Sequence, residues 1–419
     1  MADPKIDIVQ DCANFETWAD DDCFLPLSRF PDYVPEKDNP DVLIRGRWLE
    51  RGGSGFLVSS AGTGKSIWLI QALFAWTHGR SFCGLTPNRP LKAWVFQSED
   101  SATRVTIDRE DIIAELSEQT PDVDWRETAE NIKFFRTTGE NSIRFLEWLE
   151  SMLERARKAH ALPSILVFNP FFAFIGGEVN NSAVVTPFLR GGTINGEYTK
   201  GLQHLLEVYR VGALFAHHTP KPPMTDKELA AWMQSQYPEY QGAGSSEITN
   251  WGRSFITMMK VKDHPDKVCL TAGKNGAGLD WPLVAGARRM YLAWSNGRSI
   301  DSTEDNPQRR HAWRELTKEE LEEVCKEAAE GVRKDEDKIV AKLLEKPLMY
   351  AQCKPSEFGL SQSRFRVAWK AVKDNLEEFG LYSAPWYVSK TEHGSFIGQR
   401  DAAIREAEIE AKNRMGTSC

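Results

Sequence analysis

The feature that most constrains this chain is an apolar run, a glycine-bearing loop and a helical segment in direct succession. Phe56-Leu57-Val58 reads as a buried strand, and Ser59–Gly64 follows as a loop. Lys65–His78 then carries Ile67, Ile70 and Phe74 at helical spacing. Strand, loop and helix are the context required by the phosphate-loop pattern Gly-x-x-x-x-Gly-Lys-Ser/Thr. In Ser59-Ser60-Ala61-Gly62-Thr63-Gly64-Lys65-Ser66 the two glycines let backbone N–H groups turn inward around phosphate oxygens. The helix start adds partial positive charge. Lys65 is then placed to reach the β and γ phosphates, and the Ser66 hydroxyl to coordinate Mg²⁺. Ser60, Ala61, Gly62, Thr63, Gly64, Lys65 and Ser66 form the expected nucleotide-binding set, with ATP and Mg²⁺ as ligands. The first motif position holds Ser59 instead of glycine.

Around this loop, short apolar runs alternate with helix-like segments. The expected strands are Gly55–Ser59, Ala93–Gln97, Ile132–Thr137, Ser164–Asn169, Val211–His217, Phe255–Val261, Val268–Ala272 and Met290–Trp294. The expected helices are Lys65–His78, Ser101–Glu118, Ser142–Lys158 and Tyr198–Tyr209. Such alternation predicts an α/β fold with a doubly wound, mostly parallel sheet. It assigns residues 1–45 to an acidic irregular segment, 46–296 to the sheet domain, 297–335 to a charged linker, 336–390 to a small second domain and 391–419 to a charged tail.

Composition narrows the class. No run of about 20 apolar residues occurs, so no membrane partner is expected. Seven scattered cysteines, odd in number and without a Cys-x-x-Cys pair, suit reduced thiols in a cytoplasmic protein. The net charge of −8 argues against nucleic acid until its distribution is read. Residues 1–45 hold four Lys/Arg and eleven Asp/Glu, so most of that charge sits in one segment. The remainder is close to neutral and can carry basic patches.

Several further stretches, in order, resemble the RecA-like ATPases related to plasmid RepA replicative helicases and their phage and mobile-element relatives. They are Ile44-Arg45-Gly46-Arg47-Trp48, Phe96-Gln97-Ser98-Glu99-Asp100, Val167-Phe168-Asn169-Pro170-Phe171, Ala216-His217-His218-Thr219 and Gly242-Ala243-Gly244-Ser245-Ser246-Glu247 through Trp251-Gly252-Arg253. The resemblance implies a RecA-like fold and a homo-oligomeric ring, a hexamer in that group. It makes Glu99 the carboxylate that orients water, His218 the γ-phosphate sensor and Arg253 an arginine finger. Lys274, in Ala272-Gly273-Lys274-Asn275-Gly276, resembles the finger-strand lysine of DnaB-like helicases, although Gly276 stands where that group has arginine. Asn169 falls where the group has the aspartate that holds Mg²⁺ through water. Asparagine keeps one acceptor and loses the charge, and Mg²⁺ favours carboxylate oxygen. Either Ser66 and the phosphates suffice for Mg²⁺, or the site binds nucleotide and hardly hydrolyses it. Glu178 is a further carboxylate that the sequence alone does not place.

In the second domain, Asp337–Leu344 and residues 361–373 read as helices. Phe365, Trp369, Val372, Leu376 and Phe379 recur at helical spacing, with Arg366, Lys370 and Lys373 opposite. Gly380 ends the helix, and the residues around Trp386-Tyr387-Val388 suggest a hairpin. The pattern is winged-helix-like. Its cations can face a DNA backbone or simply face solvent in a protein-binding module. The expected activity is an ATP-driven DNA helicase or translocase with single-stranded DNA as partner. Segment 219–242 is the expected DNA-touching loop. A nucleotide-gated DNA-binding adaptor is the alternative.

Overall fold

The computed structural model describes residues 34–136, 141–194, 196–219, 245–261, 264–284, 287–345, 348–349, 353–360, 362–374, 386–391 and 394–399. The chain divides into two compact units, Met1–Pro40 and Asp41–Cys419. In the first, the described residues form a single 3₁₀ turn at Glu36–Asp38.

The second unit is built on strands β1 (Val42–Ile44), β2 (Leu49–Glu50), β3 (Ser54–Ser59), β4 (Ala93–Gln97), β5 (Ile132–Arg136), β6 (Ile165–Asn169), β7 (Gly192–Ile194), β8 (Glu197–Thr199), β9 (Gly212–His218), β10 (Ser254–Val261), β11 (His264–Ala272), β12 (Leu283–Val284), β13 (Ala287–Trp294) and β14 (Trp313–Glu315). Its helices are α1 (Lys65–Thr77), α2 (Ala102–Gln119), α3 (Trp125–Thr128), α4 (Ser142–Lys158), α5 (Phe172–Ile175), α6 (Ser182–Arg190), α7 (Gly201–Val208) and α8 (Ser246–Trp251). The main sheet runs β12-β13-β11-β10-β3-β9-β6-β4-β5, with β14 added on β13. From β5 to β10 neighbouring strands are parallel. On the other side, β11 to β14 join antiparallel. The expected α/β fold with a mostly parallel sheet is present and fits a RecA-like P-loop fold, and its antiparallel side lies outside that expectation.

Phenylalanines fix the register of that half. Phe135, Phe96, Phe168, Phe215, Phe56 and Phe255 sit opposite one another on the six parallel strands. Their rings stack in sequence, with centroid separations of 5.2, 5.2, 4.9, 4.8 and 4.9 Å. Each such pair contributes about 0.5–1.5 kcal/mol beyond the area it buries. A slip of one residue would turn this ladder to the opposite face. Buried residues on the ladder's face pack with α4, α6, α7 and α8. The alternate residues pack with α1 and α2 on the other.

Two expectations change here. The helix expected from Tyr198 starts later, at Gly201. Gly191, Gly192 and Gly196 adopt positive φ around the hairpin β7–β8, which carries Tyr198. More consequentially, part of the expected linker 297–335 is built into the sheet domain. Trp313 is fully buried, and β14 pairs with β13. Arg310 bonds Glu115 at 3.0 Å and Glu118 at 2.7 Å. His311 Nδ1 lies 3.2 Å from Asp108, and the His311 and Ile300 backbone N–H groups donate to Asp111. The polarity that suggested a solvated linker is one half of a seam. The buried acidic face of α2 is the other half, and buried charge survives only when paired in this way.

Beyond the seam, α9 (Lys318–Glu345) is one continuous helix across the expected boundary at 335/336. It contacts α10 (Gln362–Asp374). Strands β15 (Leu348–Met349), β16 (Trp386–Thr391) and β17 (Gly394–Gln399) form a sheet in the order β15-β17-β16. Ile339, Phe358, Leu360, Phe365, Trp369 and Val372 form the core of this unit. Leu376, Phe379, Gly380, the tail from 400 onward and the expected DNA loop beyond Thr219 lie outside the described residues. Among the described residues, no helix is long and apolar enough to cross a membrane.

Candidate active site

The site lies at the carboxyl ends of β3, β4, β6 and β9, where an open parallel sheet forms its ligand crevice. Side chains alternate along a strand. Leu57, Val95, Val167 and Ala216 belong to the core beneath α1. Two residues on, Ser59, Gln97, Asn169 and His218 therefore share that face and meet the start of α1.

The loop itself explains its glycines. Gly62 and Gly64 have φ of +69° and +91°, a region that side chains disfavour. Ser59 is not among the residues with positive φ, so serine costs no strain at the first motif position. Ser60 Oγ and Thr63 Oγ1 are 2.8 Å apart, and the Thr63 hydroxyl donates to the Ser60 carbonyl at 3.0 Å, pinning the loop. No side chain caps α1, whose first N–H groups are thus available to phosphate oxygens. At Gly64 a Cβ would lie 2.5 Å from Trp313 and 2.7 Å from Trp294. These indoles stack at 3.9 Å, and Trp313 Nε1 donates to the Gly64 carbonyl at 3.1 Å. Gln71 of α1 bonds both backbone groups of Trp313, at 2.7 and 2.8 Å.

Lys65 is buried at the floor of the site. Burial lowers its pKa to about 8, against the opposing pull of Glu99 and Asp100. Burial raises the Glu99 carboxyl above its usual range, opposed by Lys65 and reinforced by Asp100. A carboxylate tuned upward accepts a proton from water more readily. His218 is lowered to about 4 by burial and then by Lys65, so its imidazole is neutral at physiological pH. A neutral ring still donates one hydrogen bond.

Asn169 Nδ2 donates to Ser66 Oγ at 3.0 Å. Gln97, opposite Asn169 in the register, donates to the Asp100 carboxylate. Gln97 Oε1 is buried and accepts no hydrogen bond from any described residue. The Ser66 hydroxyl beside Asn169 and the Gln97–Asp100 pair on the neighbouring strand offer oxygen of the kind that suits hard Mg²⁺. No cluster of three or more His, Cys, Asp or Glu among the described residues makes a ready metal cage. Mg²⁺ would therefore arrive with phosphate, as is usual for this ion. Glu178 is exposed in the segment between α5 and α6.

Arg253 and Lys274 are not part of this constellation. The Arg253 N–H donates to the Ser54 carbonyl at 3.0 Å, at the amino end of β3. The length of β3 separates it from the loop, roughly 17 Å at ~3.3 Å per residue. Lys274 lies at the same end and donates to the carbonyls of Thr249 and Gly252, at 3.3 and 2.8 Å. It braces the turn that presents Arg253, which is itself exposed.

Sequence reasoning missed Trp294, Trp313, Gln71, Gln97 and Asp100. For Trp313 there was a signal: a lone tryptophan in a charged stretch is itself a mark of burial.

Residues 22–224 match the family model described as an AAA domain. The chain thus carries a P-loop ATPase domain, which implies nucleotide binding. The matched region contains Lys65, Glu99, Asn169 and His218 and ends before Arg253. No curated protein matches the chain.

Proposed function

We propose that the protein is a ring-forming, ATP-driven DNA translocase or helicase of the RecA-like type, similar to the plasmid RepA group. One observation carries this reading: Arg253 is exposed at the opposite end of the sheet from its own phosphate loop. An arginine so placed serves catalysis only in a neighbouring subunit's site. Arg47 and Arg51 line the same shallow depression as Arg253, together with Glu50 and Glu207.

In this reading Lys65 and the loop N–H groups hold the β and γ phosphates. Ser66 would hold Mg²⁺, and the ion would supply charge neutralisation at the phosphates. Glu99 orients the attacking water and takes its proton. Neutral His218 donates to a γ-phosphate oxygen and responds to its loss. Arg253 of the adjoining subunit stabilises the transition state. The C-terminal unit is a winged helix in this reading. Its helix–short helix–helix–hairpin order supports that, and Arg366 and Lys370 are exposed on α10, where they can face phosphates.

A second reading has one observation in its favour. Asn169 places a neutral amide where Mg²⁺ coordination benefits from charge, which suits an adaptor that binds ATP without efficient turnover. ATP hydrolysis by the purified chain with Mg²⁺, with and without single-stranded DNA, separates them. DNA-stimulated turnover supports the motor. Tight binding with no turnover under either condition supports the adaptor.

A further inference from the structure

We propose that Asp100, positioned by Gln97, supplies the carboxylate that holds the Mg²⁺ hydration shell, the task for which Asn169 lacks charge. The inference rests on the nucleotide-site reading above and assigns a residue within it.

Magnesium in phosphate sites keeps several waters and takes one or two carboxylates besides the phosphates. Strand β6 ends in an amide, so β6 offers no carboxylate at this level. The neighbouring strand β4 ends in Gln97-Ser98-Glu99-Asp100, and it supplies two. Both carboxylates feel the Lys65 ammonium, and Asp100 also lies among Asp108 and Arg104.

Gln97 distinguishes them. It stands directly opposite Asn169 in the register and on the face of the sheet that meets Ser66. Its Nε2 donates to the Asp100 carboxylate, which ties Asp100 to the level of Asn169. Its Oε1 is in a side chain only 3% exposed and accepts no hydrogen bond from any described residue. A buried amide oxygen left in this way is costly unless a donor arrives. Metal-bound water is such a donor. Asp100 and Gln97 Oε1 then hold neighbouring waters of the shell, while Glu99, the more exposed carboxylate, addresses the attacking water.

The arrangement also gives Asn169 a role. Its amide bridges to Ser66 across 3.0 Å. A Ser66 hydroxyl whose oxygen served Mg²⁺ would donate instead, and Asn169, with its amide turned, would accept that hydrogen bond through Oδ1. Asn169 becomes an orienter of Ser66, and the charge is carried one strand away.

The test uses the full chain, a nonhydrolysable ATP analogue and Mn²⁺ as a paramagnetic substitute for Mg²⁺, with bound metal read by electron paramagnetic resonance. Asp100→Asn is expected to raise the Mn²⁺ half-saturation by about tenfold or more, the scale of losing a group that orients a metal's ligands. Its metal-free affinity for the analogue should stay at the native value. Glu99→Gln should shift the Mn²⁺ half-saturation by less than Asp100→Asn does. Asp100→Asn combined with Asn169→Asp should recover metal binding, because the carboxylate returns on the adjacent strand. Native metal affinity in Asp100→Asn, or a larger shift in Glu99→Gln, overturns the assignment while leaving the nucleotide site intact. Failure of the native chain to bind the analogue at all overturns the nucleotide reading itself.

Discussion

At the carboxyl ends of β3, β4, β6 and β9, titratable side chains converge and perturb one another. Lys65 is pushed down to about 8 and His218 to about 4, while Glu99 is raised. At the amino end of β3 and β10, Arg253 stands exposed beside a turn that Lys274 braces. The first end has the burial and coupled charge of a reaction centre. The second presents the Arg253 side chain outward from a braced turn. The sheet thus keeps Arg253 away from its own phosphate loop, and in the proposed reading each subunit would hold nucleotide at one end and lend its arginine from the other.

That division can be broken most directly at Arg253. Arg253→Ala should lower ATP turnover by about a thousandfold, the scale of arginine fingers, while sparing nucleotide affinity in the isolated subunit. Mixing it with Lys65→Ala subunits should restore part of the turnover, since an intact pocket then meets an intact arginine. Steady-state assays of the mixture, with assembly checked by size, decide this. A mixture as inactive as its components would remove the trans role.

Glu99→Gln sharpens the contrast from the other end. Turnover should fall at least about a hundredfold with nucleotide affinity retained. Mixing it with Lys65→Ala should give no rescue, because both lesions lie in the same pocket half. Rescue in that mixture would mean that Glu99 acts across an interface.

Lys65→Ala should weaken nucleotide binding by about a hundredfold, as two charge-assisted hydrogen bonds at about 1.5 kcal/mol each are lost. Calorimetry with ADP and an ATP analogue measures this. Native affinity in the variant would refute the phosphate-loop assignment.

The smallest effect is a pH dependence. With its pKa near 8, Lys65 is charged below that value and loses its proton as pH rises through it. Phosphate stabilises the charged form, so binding takes up a proton above that pH. Nucleotide affinity should hold steady up to about pH 8 and then fall by up to about tenfold per pH unit. His218, near 4, is already neutral across this range and should add no step near neutrality. A step near an ordinary histidine pKa that disappears in His218→Gln would contradict that placement.

The sequence by itself determined whatever depends on neighbours along the chain. Glycine at 62 and 64, followed by Lys65 and Ser66, specified a loop that cradles phosphate. The alternation of apolar runs and helical spacing located the eight expected strands to within a few residues, and left the short strands such as Trp313–Glu315 unseen. For Ala93–Gln97 and Ser142–Lys158 it also gave the observed bounds, because the first is a short apolar run between polar flanks and the second a strongly amphipathic helix.

Only the tertiary structure decided what distant residues do to one another. It stacked one phenylalanine from each parallel strand and so set Gln97 level with Asn169. It brought Trp313 onto Gly64 across 249 residues of chain. It turned an expected linker into the partner of α2, since Arg310 and Glu115 look solvated when read apart and are buried when paired. It also put Arg253 at the far end from its own loop. Spacing in sequence carries no information about such pairings. They follow from which surfaces are buried together, and a chain reveals that only when it is folded.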